Sequence, residues 1–335
     1  MKKLFSFMFV LLITIVCLTA CGSSGQDKET ASGQGGNSDS KGYPTKPIEL
    51  IVPWDAGGST DLIARTLAKE VEKELGQPVM VVNKPGAGGT LAATEVAKAP
   101  ADGYKIMISS NSPFTSQPNI KPTKYSIEDF RVIHGTTYEN MAILTHADSK
   151  WETLEDLMKE KDSGTSIKYA TSGAGGFSHL ASATFFDESG LTGQYVPFKS
   201  GAETITALLG KQVDIITVHP GEAMEHVKAG KLKFLGVFSE EKATEIPDVP
   251  TFKEKGMDLV WGVYKFIVVP KDVPEDVYKK LNEAFAKAYS SDSYKEFLKK
   301  SNISGYDESP EKIEEKIREE VKETKVWIDK IKFAQ

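Results

Sequence analysis

Cysteine is nearly absent from the 335-residue chain, which holds two, and basic residues are outnumbered 41 to 47, for a formal charge of −6. Two cysteines cannot build a disulfide framework in a chain of this length. An acidic balance offers no electrostatic footprint for a phosphate backbone, so nucleic acid is excluded as a partner. The five histidines, at 134, 146, 179, 219 and 226, show no close metal-ligand spacing, and neither a metal nor a cofactor is expected. No G-x-x-x-x-G-K-S/T motif occurs, so a phosphate loop is excluded as well. What remains is ordinary globular material: 40% hydrophobic and 26% charged residues, enough for a core and, at this length, for two domains.

The N-terminal apolar run, Leu4 to Leu18, follows Lys2 and Lys3 and precedes Thr19-Ala20-Cys21-Gly22. A charged start, an apolar stretch and small residues before a cut are the shape of a signal peptide, and the run is short of the roughly 20 residues a spanning helix needs. Leu18-Thr19-Ala20-Cys21 resembles a bacterial lipobox, which implies a signal peptide over 1–20 and lipidation of Cys21. Cleavage there removes Cys17, Lys2 and Lys3, and takes the formal charge from −6 to −8. The folded part then has no thiol, which excludes thiol catalysis and cysteine metal sites. Residues 21–42 contain almost nothing apolar and many Gly, Ser and Asp, the composition of a flexible tether. The globular part is expected from Tyr43.

From Ile48 the chain alternates short apolar runs with helical patterns. Ile48 to Val52 reads as a buried strand, and Ile63, Leu67, Val71 and Leu75 recur every four residues on a helix that stops at Gly76. Strands follow at Val79 to Val82 and Tyr104 to Ser109, with a helix from Leu91 to Ala99 between them. Met141 to Thr145 opens a second series, with strands near 167–171, 194–198, 213–218 and 232–238 separated by helices. The tail, Pro274 to Ser290 and Pro310 to Ile331, is helical in pattern. Such alternation predicts an α/β fold of two lobes, each a mostly parallel sheet flanked by helices. The expected division is 43–145 plus 240–335 for one lobe and 146–239 for the other, with hinge segments near Thr145 to Asp148 and Phe238 to Lys242.

Ligands in open parallel sheets sit beyond the carboxyl ends of the strands, and four turns there are rich in small residues. Pro53 to Asp61 (PWDAGGSTD) joins the first strand to the first helix; paired glycines let backbone approach a ligand, and the helix terminus presents unpaired N–H groups with partial positive charge. That suits a carboxylate, and a plain tight turn capped by Ser59 or Thr60 accounts for the residues equally well. Asn83 to Thr90 approaches a dinucleotide fingerprint and fails it at Leu91. Thr171 to His179 (TSGAGGFSH) begins like a nucleophile elbow, but Leu180 stands where the closing glycine belongs. Pro197 to Gly201 leads to Ser200 and Glu203 at capping-box spacing, with Lys199 just before as a possible positive charge.

The stretch PIELIVPWDAGGSTDLIARTLAKEVEKELGQPVMVVNKPGAGGT, with SGAGGFSHLA at 172–181, YVPFKSGAETITALLGKQVDI at 195–215, AGKLKFLGV at 229–237 and IPDVPTFKEKG at 246–256, resembles the substrate-binding proteins of tripartite tricarboxylate transporters, the Bug-type receptors. The likeness runs from about residue 44 to the end. It implies a two-lobed periplasmic-binding-protein fold of the second type, with a ligand cleft between the lobes. It also implies a non-enzymatic receptor outside the cytoplasm that closes on a small organic carboxylate and delivers it to a membrane permease; with the lipobox, the expected location is lipid-anchored on the outer face of the cell membrane. Carried over to this chain, it points to Ala56, Gly57, Gly58, Ser59 and Asp61 on one side. Opposite them it places Ser172, Gly173, Ser178, His179, Lys199, Ser200 and Gly201. Two departures from the family pattern, Trp54-Asp55 and Trp261-Gly262-Val263-Tyr264-Lys265, leave a zwitterionic, amino-acid-like ligand open. An exported hydrolase using Ser178 and His179, and a receptor feeding a signalling partner, are the rival functions.

Overall fold

The computed structural model describes residues 42–173 and 175–331. The expected signal peptide, the Cys21 lipidation site and the tether up to residue 41 lie outside the described residues. In chain order the elements are β1 (Ile48–Val52), α1 (Ser59–Leu75), β2 (Val79–Asn83), α2 (Thr90–Ala97), β3 (Lys105–Ser110), α3 (Ser116–Ile120) and β4 (Phe130–Asn140). Next come β5 (Ala142–His146), α4 (Leu154–Met158), β6 (Ser166–Ser172), α5 (Phe177–Ser189), β7 (Thr192–Phe198), α6 (Gly201–Leu209), β8 (Ile215–Val218), α7 (Pro220–Lys228) and β9 (Leu232–Val237). The chain ends with β10 (Gly262–Pro270), α8 (Glu275–Ser290), α9 (Asp292–Ser301), β11 (Ser304–Gly305) and α10 (Pro310–Lys330).

Two sheets organise these elements, in the orders β11-β4-β10-β3-β1-β2 and β7-β6-β8-β5-β9. The first series of strands is parallel, β1 against β2 and β3, and so is the second, β6 against β7 and β8. The strands that enter each sheet at a crossing, β10 and β5, run antiparallel to both neighbours. β1 shows why a continuous apolar run predicts a strand covered on both faces: Ile48, Leu50, Ile51 and Val52 are all fully buried, each contributing about 1.5–3 kcal/mol. α1 turns Ile63, Leu67, Val71 and Leu75 onto the same core. It stops where Gly76 takes a left-handed φ of 67° and its N–H closes on the Glu72 carbonyl, the αL ending only glycine adopts without strain.

The chain passes from the first sheet to the second between Asn140 and Ala142, since β4 lies in one and β5 in the other. It returns at Trp261–Gly262, because Ala243 and Ile246 pack in one second-lobe core and Phe252, Met257, Leu259 and Trp261 in the other. The two crossings touch: Phe238 N–H donates to the Met141 carbonyl at 2.8 Å, and Trp261 N–H to the Phe238 carbonyl at 3.0 Å. α10 is not confined to one lobe. Ile313 and Ile317 are buried in the first lobe and Ile328 in the second. Asn111 Nδ2 and Tyr264 OH both donate to Glu320 from the first-lobe side, while Lys330 pairs with Asp187 and Glu188 of α5.

Candidate functional site

Three helices, α1, α5 and α6, begin at the carboxyl ends of the parallel strands β1, β6 and β7, and all three are built on one plan. The side chain of the third helical residue accepts the backbone N–H of the residue before the N-cap. Asp61 Oδ2 takes that of Gly57 at 2.9 Å, His179 Nδ1 that of Gly175 at 3.2 Å, and Glu203 Oε2 that of Lys199 at 3.0 Å. At the N-cap they part. Ser200 Oγ accepts the Glu203 N–H at 3.3 Å and completes the cap of α6, whereas Gly58 and Gly176 bring no side chain to α1 and α5.

Backbone strain does not require those two glycines. Gly58 and Gly176 have φ of −74° and −79° with extended ψ, and an added Cβ would meet its nearest neighbour at 3.5 Å in each case, an ordinary contact. Gly57 and Gly175, one residue earlier, do require glycine, at φ +84° and +78°. Each of α1 and α5 therefore presents backbone N–H groups and about half a positive charge at a position left without a side chain. A carboxylate is the natural occupant.

In the first lobe the rim of the turn, Asp55 to Gly58, is exposed. Asp61 is buried and spent within the turn: besides Gly57, its carboxylate accepts Asn83 Nδ2 at 3.0 Å and Arg65 Nε at 3.0 Å. Burial alone would raise this carboxyl, and the hydrogen bonds from Arg65, Gly57 and Asn83 outweigh it and hold it below the usual range. Asn83 also donates to the Trp54 carbonyl, so β2 steadies the loop. Ser59, half-buried, directs its Oγ to Glu139 at 3.4 Å, and Lys265 Nζ reaches the same hydroxyl at 3.3 Å. Lys265 and Glu139 form a buried ion pair under the α1 terminus. Burial draws the Lys265 ammonium down to about 7, and the carboxylate against it is what favours the charged form.

In the second lobe Ser178 Oγ donates to the Ser172 carbonyl at 3.3 Å, and Gly173 N–H to the Phe198 carbonyl at 2.8 Å, which sets the β6–α5 and β7–α6 turns side by side. The His179 ring stacks on Tyr195 with centroids 3.7 Å apart and planes 12° apart. Burial pushes its pKa down to about 4, so at neutral pH the imidazole is uncharged. Because Nδ1 accepts from Gly175, the proton sits on Nε2. Lys199 and Ser200 are exposed, but Gly201 is covered: the Glu222 carboxylate from α7 lies so close that a Cβ on Gly201 would overlap it. The predicted residues thus fall into two open termini and one closed one.

Several residues that shape this site carry no local signal. Glu139 and Lys265 come from the crossing strands β4 and β10, and Asn83 from the end of β2. Gln117 of α3 donates from Nε2 to the Gly175 carbonyl at 2.8 Å, linking the lobes. A lysine inside the apolar stretch Val263 to Val269 was the one visible hint of a buried charge. Among the described residues, no group of three His, Cys, Asp or Glu side chains is placed to hold a metal ion.

Residues 63–333 match the TctC family model, described as the tripartite tricarboxylate transporter family receptor. A curated relative from Cupriavidus necator, the UPF0065 protein in gbd 5'region, is 32% identical over 298 residues, 88% of this chain and 90% of the relative. Among solved structures, a TctC solute-binding protein from Polaromonas, determined with no ligand, is 34% identical with a TM-score of 0.74, over 86% of this chain and 99% of that one. MatC from Rhodopseudomonas palustris with bound malate is 26% identical with a TM-score of 0.76, over 85% of this chain and 100% of that one.

Proposed function

The chain belongs to the tripartite tricarboxylate transporter receptor family, and on that premise we propose that it is an extracytoplasmic receptor that closes on a small organic carboxylate and delivers it to a membrane permease. The observation that carries the reading is the pair of glycine N-caps. Gly58 and Gly176 sit where serine or aspartate would fit sterically and cap better, one in each lobe. The malate held by MatC has a carboxylate at each end, and two such termini suit a molecule of that kind. In this reading the backbone N–H groups of Ala56, Gly58 and Ser59 receive one carboxylate around Gly57, whose own N–H is held by Asp61. The first turn of α5 receives the other, with Ser172, Gly173, Ser178 and His179 lining the turn beside it, the Gly173 N–H itself being held by the Phe198 carbonyl. Asp61 acts from behind by holding Gly57, and Lys199 contributes charge from the neighbouring turn while Ser200 and Gly201 close their own helix. Cys21 carries the lipid anchor, and residues 22–42 give the receptor its reach from the membrane.

The hydrolase reading has less support. A neutral imidazole has one acceptor nitrogen, and His179 spends it on Gly175, while the Ser178 hydroxyl is bonded to the Ser172 carbonyl. A second ligand class is favoured by one observation: Asp55 is exposed beside Gly57 and Gly58, where an ammonium would suit it and a third carboxylate would be repelled. A thermal-shift panel of mono-, di- and tricarboxylates and amino acids on residues 43–335 separates the two. Ligand at a hundredfold excess over Kd should stabilise by about 2.7 kcal/mol. A response confined to amino acids would replace the simple-carboxylate reading, and no response to any acid would overturn both.

A further inference from the structure

The open terminus of α5 is met from α3 by two side chains, Ile120, whose Cδ1 would lie 3.3 Å from a Cβ on Gly175, and Gln117, which makes the polar tie. Gln117 lies on α3, which is itself fastened to α10: Asn119 Nδ2 donates to the Val321 carbonyl at 2.7 Å and to Thr324 Oγ1 at 2.9 Å. The Gln117 amide is backed by the turn of Gly86 to Gly89 so closely that a Cβ on Gly88 would fall 2.6 Å from Gln117 Cδ. That turn also abuts the first ligand turn, since a Cβ on Gly89 would meet Pro53 Cβ at 3.4 Å. On its other side Gln117 Nε2 reaches the Gly175 carbonyl. The turn after β2 therefore lies between the turn after β1 and Gln117, and Gln117 in turn reaches the turn after β6.

Gly175 is where such a tie has most effect. Its φ of +78° lies in the left-handed region, and a glycine backbone is costly to fix because it has so many alternatives, on the order of 1–2 kcal/mol per residue. Both its polar groups are held, and from different lobes: the N–H by His179 of α5, the C=O by Gln117 of α3. Rotating this peptide would swing Gly176, the N-cap, and with it the N–H groups offered to a ligand. We propose that Gln117 is a positioning residue that sets the second ligand turn in register with the first, so that the α5 terminus is ordered and aimed before a carboxylate arrives. This rests on the receptor reading above for its function, though not for its geometry.

Gln117→Glu keeps the shape and removes the donor; Gln117→Met keeps the bulk and removes both polar atoms. In the full chain without ligand, amide hydrogen exchange at Gly175 and Gly176 should quicken about tenfold in both variants, the loss of one hydrogen bond. Calorimetry with whichever acid most stabilises the wild type should show Kd rising about tenfold, with Tm within about 2 °C and exchange in β1 and β6 unchanged. Wild-type exchange at Gly175 and Gly176, or faster exchange with an unchanged Kd, overturns the proposal. So does weaker binding that comes with a general loss of protection, which would make Gln117 a plain packing residue. If the wild type binds no acid, the receptor reading fails by itself, and the exchange measurement still decides whether Gln117 orders the turn.

Discussion

Helices α5 and α6 start next to each other in the second lobe and part at the cap. At α6, Ser200 and Glu203 satisfy the terminus from within, and Glu222 covers Gly201. At α5, the same third-residue acceptor is in place as His179, but Gly176 leaves the cap position vacant. α1 in the other lobe matches α5. Glycine at an N-cap is only a few tenths of a kcal/mol worse than serine, so the fold concedes little by leaving two termini open. The difference teaches where to look for a site in a fold with many helix starts: at the ones that decline a cap their backbone would accept.

Closing the open termini is the strongest way to break this contrast. Gly58→Asp or Gly176→Asp supplies an internal carboxylate where the ligand's would sit. Each should weaken binding by about a hundredfold, some 2.7 kcal/mol, while Tm holds or rises. Calorimetry alongside a melt reads both, and a Gly176→Asp protein that binds normally would make α5 no more of a site than α6. The third-residue acceptors sharpen the comparison through pH. His179 titrates near 4 when folded against about 6.5 unfolded. The unfolded chain binds the extra proton between those values, so stability present above pH 6.5 is lost as pH falls towards 4, on the order of 2–3 kcal/mol. Urea unfolding of wild type and His179→Gln across that window should differ in slope; parallel curves would show that His179 is not held neutral. The smallest effect belongs to the closed terminus. Ser200→Ala should cost about 1 kcal/mol of stability and leave Kd unchanged, and a drop in affinity would place α6 among the ligand-holding elements after all.

Local periodicity carried much of the fold. β1 and α1 were legible because a strand buried on both faces and a helix with a four-residue apolar repeat write their environment into their own residues. β4 and β10 were not: Phe130 to Asn140 mixes polar and apolar residues around Gly135, and its partner lies more than a hundred residues away. Their absence from the sequence reading also hid the Glu139–Lys265 pair, which exists only because those strands meet. Of the candidate site, the glycine turns were visible and their inner workings were not. Asp61 looked like a ligand contact or a dipole partner, and it is the acceptor that holds Gly57. Ser200 was legible as the cap of α6, which its hydroxyl forms on the Glu203 N–H, although the Glu203 carboxylate reaches back to Lys199 and not to Ser200, so the expected box is only half made. Gln117, in a short polar stretch, gave no signal at all, since its significance lies entirely in what the other lobe brings to it.

α10 limits how such a protein can move. Its 21 residues make a rod of about 31 Å, sunk at one end beside Ile313 and at the other beside Ile328. A stiff rod embedded in both bodies resists their being pulled apart, since either end would have to surface, and the partners of Glu320 on one side and of Lys330 on the other resist its turning. A movement of the lobes that kept these contacts would have to leave both ends of α10 seated, so the helix acts as a strut between two bodies that the chain otherwise joins only by its crossings.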